Sequence, residues 1–345
     1  MMLLISNLLT KGIVTCATVT YRYSSISSQK VKSDSIIPLM KKVKDLSQIS
    51  SYKYSNKHWK LLENSSKHHH KTLRILTYNI LWDYSEHKLE MEYYWKNRYS
   101  RVAETFLDGE PDIIGLQEDR PHLIDDLTPY YQSFYDRVGE PGSSDECCSI
   151  LFKKSRFDFL SSSRLEFPRQ ETKHITTLKV FDKTTEKVLQ VFNTHLNFFS
   201  LKKRHEQANH LNDLMKGTLK SIGSEERVIF LGDFNIFPNR PDMNTHLPLD
   251  GNEIEDIIEQ SGLVDAMKGA VFGCVGPKSS YNNCEKSQRL ENRCIPFKGY
   301  GTPGFYPDRI FTCPKTQVLV FAVNPVKCNA LFGSDHMPIV CDLLL

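Results

Sequence analysis

The sequence predicts an α+β protein built as a four-layer α/β sandwich, with two packed, mainly antiparallel sheets and helices outside them. Three observations carry this. Strand-like segments outnumber helical ones, hairpin-like pairs recur around short polar turns, and the helical segments fall singly between them. At 345 residues, with 40% hydrophobic and 25% charged residues, the chain can bury a large core, and disorder throughout is excluded.

The first 72 residues stand apart. They hold 12 Lys+Arg against 3 Asp+Glu, a net of +9, whereas the remainder holds 32 basic and 38 acidic residues, a net of −6. No acidic residue precedes Asp34, and Ser and Thr are frequent. Met1 to Leu9 is apolar until Lys11 interrupts it, well short of the about 20 residues that cross a bilayer. No transmembrane segment is therefore expected. Acid-poor, Ser-rich, basic composition fits an organellar, mitochondrial, transit peptide. An export signal fits second because no charge but the terminal amine precedes the apolar run, and a plain tail stays open. His68-His69-His70 between Lys67 and Lys71 reads as a solvated linker. A domain of residues 73–345 is expected to follow.

Its elements follow in order. Leu73 to Ile80 reads as a strand. Tyr93 to Leu107 is helical, because Tyr94, Trp95, Arg98, Val102 and Phe106 recur at spacings of three and four. Asp112 to Leu116 is a short buried strand. Ser149 to Phe152 and Phe157 to Leu160 read as a hairpin joined by Lys153-Lys154. Leu178 to Asp182 and Val188 to Thr194 read as another pair around Lys183-Thr184-Thr185-Glu186. Arg204 to Leu219 carries an apolar stripe of Ala208, Leu211, Met215 and Leu219. Val228 to Leu231 is a buried strand. Asn252 to Gln260 is a helix stopped at Ser261-Gly262. Residues 268–306 are loop-like and basic, with Lys278, Lys286, Arg289, Arg293 and Lys298. Val318 to Val323 and Ile339 to Leu345 close as strands.

The nine cysteines include no CxxC pair, so a zinc site lacks its usual ligand spacing. Free buried thiols are the plain reading. A disulfide within 274–328 stays open for an exported chain.

Four apolar strands end abruptly in polar groups: Asn79, Gln117-Glu118, Asn193-Thr194-His195, and Asp233-Phe234-Asn235. A fifth group, Ser334-Asp335-His336, precedes the last strand. Strand ends that converge place such groups at one rim of a sheet, where a rigid scaffold meets open loops. Singly, each has an ordinary alternative. Gly-Asp-x-Asn makes common turns, His195 suits a core, and Asp335-His336 suits a cap.

As an ordered set, Thr77-Tyr78-Asn79, Leu116-Gln117-Glu118, Asn193-Thr194-His195-Leu196, Gly232-Asp233-Phe234-Asn235, Asp308-Arg309-Ile310-Phe311 and Ser334-Asp335-His336 resemble the endonuclease/exonuclease/phosphatase superfamily, the DNase I-like fold. The likeness covers residues 73–345. It implies an Mg²⁺-dependent phosphoester hydrolase, with Mn²⁺ as alternative. Glu118 would be the main metal ligand with Asn79 beside it, and Asp335 would support metal or water. Asp233 would orient or deprotonate the water, and Asn235 would hold a non-bridging oxygen. His336, aligned by Asp308, would contact the phosphate, and His195 would bind phosphate or assist the leaving group. Arg204 is a further candidate phosphate contact.

The substrate is less legible. Exonuclease III-type enzymes carry an acid or amide where Leu81 stands. Inositol polyphosphate 5-phosphatases carry Tyr-Arg where Ile236-Phe237 stand, although Pro307-Asp308-Arg309-Ile310 is similar to their Cys-Asp-Arg-Ile. Trp95, Arg98, Asp145-Glu146, Arg204 and Gln207 resemble a broad branch of simple metal-dependent hydrolases. An acidic body disfavours long duplex DNA, leaving short or single-stranded nucleic acid, a nucleotide, or a lipid or inositol phosphate. A monomer is expected. The competing reading is an inactive binding or scaffold protein that retains the fold.

Overall fold

The computed structural model describes residues 52–55, 58–61, 72–83, 91–142, 144–168, 170–236, 253–271, 274–275, 279–281, 306–324 and 332–345. The expectations for a targeting peptide, the His68–His70 run, most of the basic loop, and Cys16, Cys284, Cys294 and Cys328 lie outside them. Within the segment read as a linker, β1 (Tyr52–Ser55) and β2 (His58–Leu61) form a two-stranded antiparallel ladder.

The body contains two mixed sheets. One has the order β12-β14-β15-β3-β4-β6-β5, where β3 is Thr72–Asn79, β4 Ile113–Gln117, β5 Tyr135–Val138, β6 Ile150–Lys153, β12 Cys274–Val275, β14 Gln317–Val323 and β15 Ile339–Leu344. The other has the order β11-β13-β10-β9-β8-β7, where β7 is Phe157–Phe167, β8 Gln170–Asp182, β9 Lys187–His195, β10 Glu226–Asp233, β11 Val264–Asp265 and β13 Asp308–Thr312. Pairs β3/β4, β9/β10 and β12/β14 are parallel and the remaining pairs antiparallel.

Strand period explains the layers. Successive side chains alternate faces. Leu73 and Ile75 of β3, Ile113 of β4, Leu189 and Val191 of β9, Ile229 and Leu231 of β10, and Ile310 of β13 all enter one inter-sheet core. Leu76, Tyr78, Ile114 and Leu116 point the other way and meet α1 (Trp95–Leu107) and α2 (Pro121–Tyr131). On the opposite outer face, Phe192, Val228, Phe230 and Phe311 pack under α3 (Leu201–Ser221) and α4 (Glu253–Glu259). The result is helix, sheet, sheet, helix, as the sequence predicts. Gly262 adopts φ +97° just past α4, the left-handed stop expected there. A fifth short helix, α5 (Ala266–Gly269), follows β11. No helix among the described residues is long and apolar enough to cross a membrane.

One expected pairing is corrected. β6 and β7 do not form a hairpin. Both edges of β6 are taken by β4 and β5, so β7 has no edge to join and pairs with β8 in the other sheet. The residues after Lys153 are thus a crossover between sheets. Arg156 pins it, donating to both carboxylate oxygens of Asp182 (2.9 and 2.7 Å), to Asp112 (2.8 Å) and to the Thr72 carbonyl (2.8 Å).

The sheets touch closely where they carry the site. A Cβ on Gly115 would stand 1.9 Å from Leu231 Cδ1, so this face of β4 has no room for a side chain. Two residues on, Gln117 Nε2 donates to Asn193 Oδ1 across the gap at 2.7 Å and to Thr77 Oγ1 at 3.0 Å. Asn193 Nδ2 in turn donates to the carbonyls of Leu116 (2.8 Å) and Ser149 (2.9 Å). Buried amides cost stability unless paired; here the amide groups of both side chains donate, each to the opposite sheet, while Gln117 Oε1 has no partner among the described residues.

Candidate active site

The alternation that fills the core delivers the polar residues to its rim. Asn79 continues the inward face of Leu73 and Ile75, Asp233 that of Ile229 and Leu231, His195 that of Leu189 and Val191, and Asp308 that of Ile310. In the parallel β9/β10 register Asp233 sits opposite His195, and in the antiparallel β10/β13 register it sits opposite Asp308. Gly232 makes this possible. It has φ +150°, and a Cβ there would lie 2.1 Å from the Thr194 carbonyl oxygen.

Asn79 bridges the sheets. Its Nδ2 gives one hydrogen to Glu118 Oε1 (3.0 Å) and one to Asp233 Oδ2 (2.9 Å), while Oδ1 accepts from Leu81 N (3.0 Å). Both amide hydrogens are therefore committed to carboxylates. Glu118 is further held by Trp82 N at Oε2 (2.8 Å). Leu81, Glu118 and Asn235 all have positive φ, of 58°, 61° and 49°. Left-handed backbone costs roughly 1–3 kcal/mol at a non-glycine residue, and it gathers here where strands turn into site loops. Buried Arg98 of α1 steadies those loops, donating to the carbonyls of Ile80, Leu81 and Gly333.

Asp233 is buried and central. Oδ1 accepts from Asn235 N at 2.9 Å. Oδ2 lies 3.7 Å from His195 Nε2 and 3.8 Å from His336 Nε2. Burial would raise its pKa, but the two imidazoles override that and hold it below the usual range. Asn235 Nδ2 donates to the Leu196 carbonyl at 2.9 Å, which fixes the amide and leaves its second hydrogen for a ligand.

Each histidine has its own carboxylate. His336 Nδ1 meets Asp308 Oδ2 at 2.8 Å, and Ser280 Oγ donates to that same oxygen at 2.5 Å. Burial pushes His336 down, yet Asp308, with Asp233 and Asp335, lifts it well above its ordinary value. His195 Nδ1 lies 2.7 Å from Glu146 Oε1 and 2.9 Å from Lys173 Nζ. Lys173 also binds Glu146 Oε2 at 2.8 Å. Against burial, Lys173 and His195 pull Glu146 well below the carboxylate range. The net effect on His195 is upward, because Glu146 and Asp233 outweigh burial and Lys173.

Asp335 completes the rim. Ser334 Oγ lies 3.2 Å from its Oδ1 and 2.8 Å from the Asn79 carbonyl, and its single hydrogen serves one of the two at a time. Burial raises the Asp335 carboxyl to about 6, with the neighbouring Glu118 charge adding to the rise. Two carboxylates that repel each other, with oxygen donors and no thiolate, fit a hard divalent cation. Asp233, Asp308 and His336 also bring ligand atoms within 4.8 Å of one another. The His336–Asp308 hydrogen bond already uses one face of that second group.

All the expected residues except Arg204 meet at this rim. Arg204 is fully buried in α3, and its Nη1 donates to the carbonyls of Asn197 and Phe198. That contact clamps the loop after β9 from beneath. Three residues were not anticipated in these places. Glu146 comes from the loop between β5 and β6, Lys173 from β8 and Ser280 from the segment before β13. Glu146 lay beside Asp145 in a stretch singled out for its likeness to the simple hydrolases, without a role. Cys147, Cys148, Cys274, Cys313 and Cys341 are free thiols.

Comparison with known proteins bears on the family and the fold. The family model described as Endonuclease/Exonuclease/phosphatase family matches residues 76–336. Among curated proteins, Protein angel homolog 2 of Mus musculus is 24% identical over 186 residues, covering 48% of this chain and 34% of the relative. The chain thus spans about a third of that relative's length. Among solved structures, an endonuclease/exonuclease/phosphatase from Bacteroides vulgatus aligns with TM-score 0.62 at 22% identity, over 79% of this chain and 99% of that one. The Bacteroides thetaiotaomicron mannosyl-6-phosphatase Bt3783 aligns with TM-score 0.59 at 20% identity, over 79% and 100%. D. rerio TDP2 complexed with single strand DNA product aligns with TM-score 0.55 at 20% identity, over 79% and 98%. These structures share the fold. The chain belongs to the endonuclease/exonuclease/phosphatase family.

Proposed function

From that membership we propose that the chain hydrolyses phosphoesters with a divalent cation, Mg²⁺ first and Mn²⁺ second. The observation that carries this reading is the convergence of two imidazole Nε2 atoms on one buried carboxylate oxygen, at 3.7 and 3.8 Å. Glu118 and Asp335 would hold the cation. When bound, it would supply positive charge for the oxygens on phosphorus.

The remaining roles fall to the side chains. Asp233, kept ionised by its neighbours, accepts the proton of the attacking water; Asn79 and the Asn235 amide hold it in place. His336, kept protonated by Asp308, donates from Nε2 to a non-bridging oxygen. Asn235 donates its free amide hydrogen to another. His195 faces the departing oxygen from the opposite side of Asp233. Preorganised donors of this kind act where charge develops.

The substrate is a short or single-stranded nucleic acid, a nucleotide, or a lipid or inositol phosphate. The acidic body supports these over long duplex DNA. Structures of this fold solved with single strand DNA product and as a mannosyl-6-phosphatase support including both nucleic acid and sugar phosphates among the candidates. A panel of single-stranded RNA and DNA, a 5′-tyrosyl oligonucleotide, sphingomyelin, phosphoinositides and sugar phosphates tests the reading, run with Mg²⁺ and with EDTA. Turnover should stop with EDTA, and Asp233→Asn should lower kcat about 10³-fold, within the usual range for an acid–base group. Equal inertness of wild type and variant on the whole panel would favour a scaffold.

A further inference from the structure

The loop that leaves β9 is tied to β10 and to α3, and what it displays is an aromatic ring. Leu196 N donates to the Asp233 carbonyl, and the Leu196 carbonyl accepts from Asn235 Nδ2, both at 2.9 Å. Asn197 N donates to Gln207 Oε1 at 2.8 Å, and Ser200 N to Asn197 Oδ1 at 2.8 Å. From beneath, Arg204 Nη1 donates to the carbonyls of Asn197 (3.1 Å) and Phe198 (2.8 Å). Arg204 and Gln207 are both fully buried. At the tip of this fixed loop Phe199 is 83% exposed, the most exposed of the large apolar side chains among the described residues. Phe198 meets it edge to face, with ring centroids 5.1 Å apart and planes at 88°. A Phe side chain gains about 1.5–3 kcal/mol when it is buried. The hydrogen bonds beneath hold this one out in water instead.

The ring sits close to the chemistry. Phe199 is the fourth residue after His195, which keeps their Cα atoms within about 14 Å. The flanking charge is positive. Lys202 and Lys203 are exposed in the first turn of α3, and no acid accompanies them there. Helix N-termini favour Asp or Glu, so two lysines in their place make this rim attractive to an anion. An exposed ring beside two cations matches a nucleic acid single strand, whose bases stack and whose phosphates are negative. A lipid surface matches it less well. Interfacial insertion rests on an apolar face of several residues, whereas Phe199 has only Phe198 beside it before Ser200 and the two lysines.

We propose that Phe199 is a stacking platform for a base next to the reacting phosphate, with Lys202 and Lys203 meeting the neighbouring backbone, so that the substrate is a single-stranded nucleic acid. This rests on the phosphoesterase reading of the same site. The pinned loop presents the ring already oriented, which spares the ordering cost that a mobile loop would incur on binding.

The test is binding of a short fluorescein-labelled oligothymidylate to the full chain in EDTA, read by anisotropy, with oligouridylate alongside to tell DNA from RNA. Phe199→Ala should raise Kd about 5- to 100-fold, the range for losing one stacked base. Phe199→Trp should bind within about threefold of wild type, and Phe199→Leu, apolar without a π face, should lose as much as alanine. The ring is exposed, so all three should melt with wild type. One abasic position moved along the strand locates the base. Where it faces Phe199, wild type and Phe199→Ala should converge to within about twofold. Equal Kd for wild type and Phe199→Ala on the intact strand, or Phe199→Leu as good as wild type, overturns the platform. So does Phe199-dependent sedimentation with phosphatidylcholine–phosphatidylserine vesicles while oligonucleotide binding ignores the residue, which would make the ring a membrane contact. The two readings fail separately. Phe199-dependent binding with no ester hydrolysed keeps the subsite and sinks the hydrolase. Hydrolysis of a non-nucleotide ester, with oligonucleotide binding indifferent to Phe199, does the reverse.

Discussion

The two histidines are built alike and supported differently. Both place Nε2 within 3.8 Å of Asp233 Oδ2, and both place Nδ1 within 2.8 Å of a buried carboxylate. Behind His336 the carboxylate of Asp308 is joined by a hydroxyl, Ser280, and its other oxygen has no partner among the described residues. Behind His195 the carboxylate of Glu146 is joined by an ammonium, Lys173. A hydroxyl leaves the negative charge on Asp308 to act on the ring, which lifts His336 well above its ordinary value. An ammonium cancels much of that charge, so His195 is the softer partner. Similar distances thus yield different chemistry, and the third residue in each triad sets the difference.

The comparison breaks most readily at Asp308. Asp308→Asn should lower kcat about 10²-fold and move the alkaline limb of the rate profile toward lower pH. The sign follows from the upward shift of His336. Its stabilising contribution is complete below the ordinary value of 6.5 and is lost as pH rises through the raised folded value. Wild type should therefore lose its stability advantage over Asp308→Asn between pH 6.5 and the alkaline range, as read from melting temperatures. An unchanged alkaline limb would show that His336 does not act as a cation. A milder perturbation, Asn193→Ala, should strike both halves equally. It leaves buried Gln117 without its inter-sheet partner and should cost about 1–3 kcal/mol in urea unfolding, with both histidines' signals shifted together. The smallest effect is expected for Ser280→Ala, roughly a twofold to fivefold fall in kcat, since a net hydrogen bond contributes about 1 kcal/mol. A larger loss would mean that the hydroxyl orients Asp308, not merely shares it.

Much of this was legible because strand period is legible. Leu73, Ile75, Ile229 and Leu231 announce their faces, and Asn79 and Asp233 inherit them. The structure gathers Glu118, His195, Asp308, Asp335 and His336 at the same rim. Glu146 and Lys173 were hidden for a physical reason. Glu146 lies in an irregular loop, and Lys173 in the polar opening of β8, where no alternation marks a strand. Their pairing spans 27 residues and has no sequence period. Helix α2 was missed although Leu123, Ile124, Leu127 and Tyr131 are buried at helical spacing. Its brevity and Pro129 within it weaken the pattern. The supposed hairpin at Lys153-Lys154 failed because two adjacent apolar runs fit a turn as well as a crossover. Only the occupied edges of β6 decide between them.

The Gln117–Asn193 contact and the Asn79 bridge have a mechanical implication. Neither sheet owns a working site: one contributes Asn79 and Glu118, the other His195, Asp233 and Asp308. A slip of one sheet against the other by a single residue would separate Asp233 from Glu118 long before either sheet frayed. If the chain turns over phosphoesters as proposed, turnover is thus an assay of docking between two slabs, and a molecule that is merely collapsed should be silent.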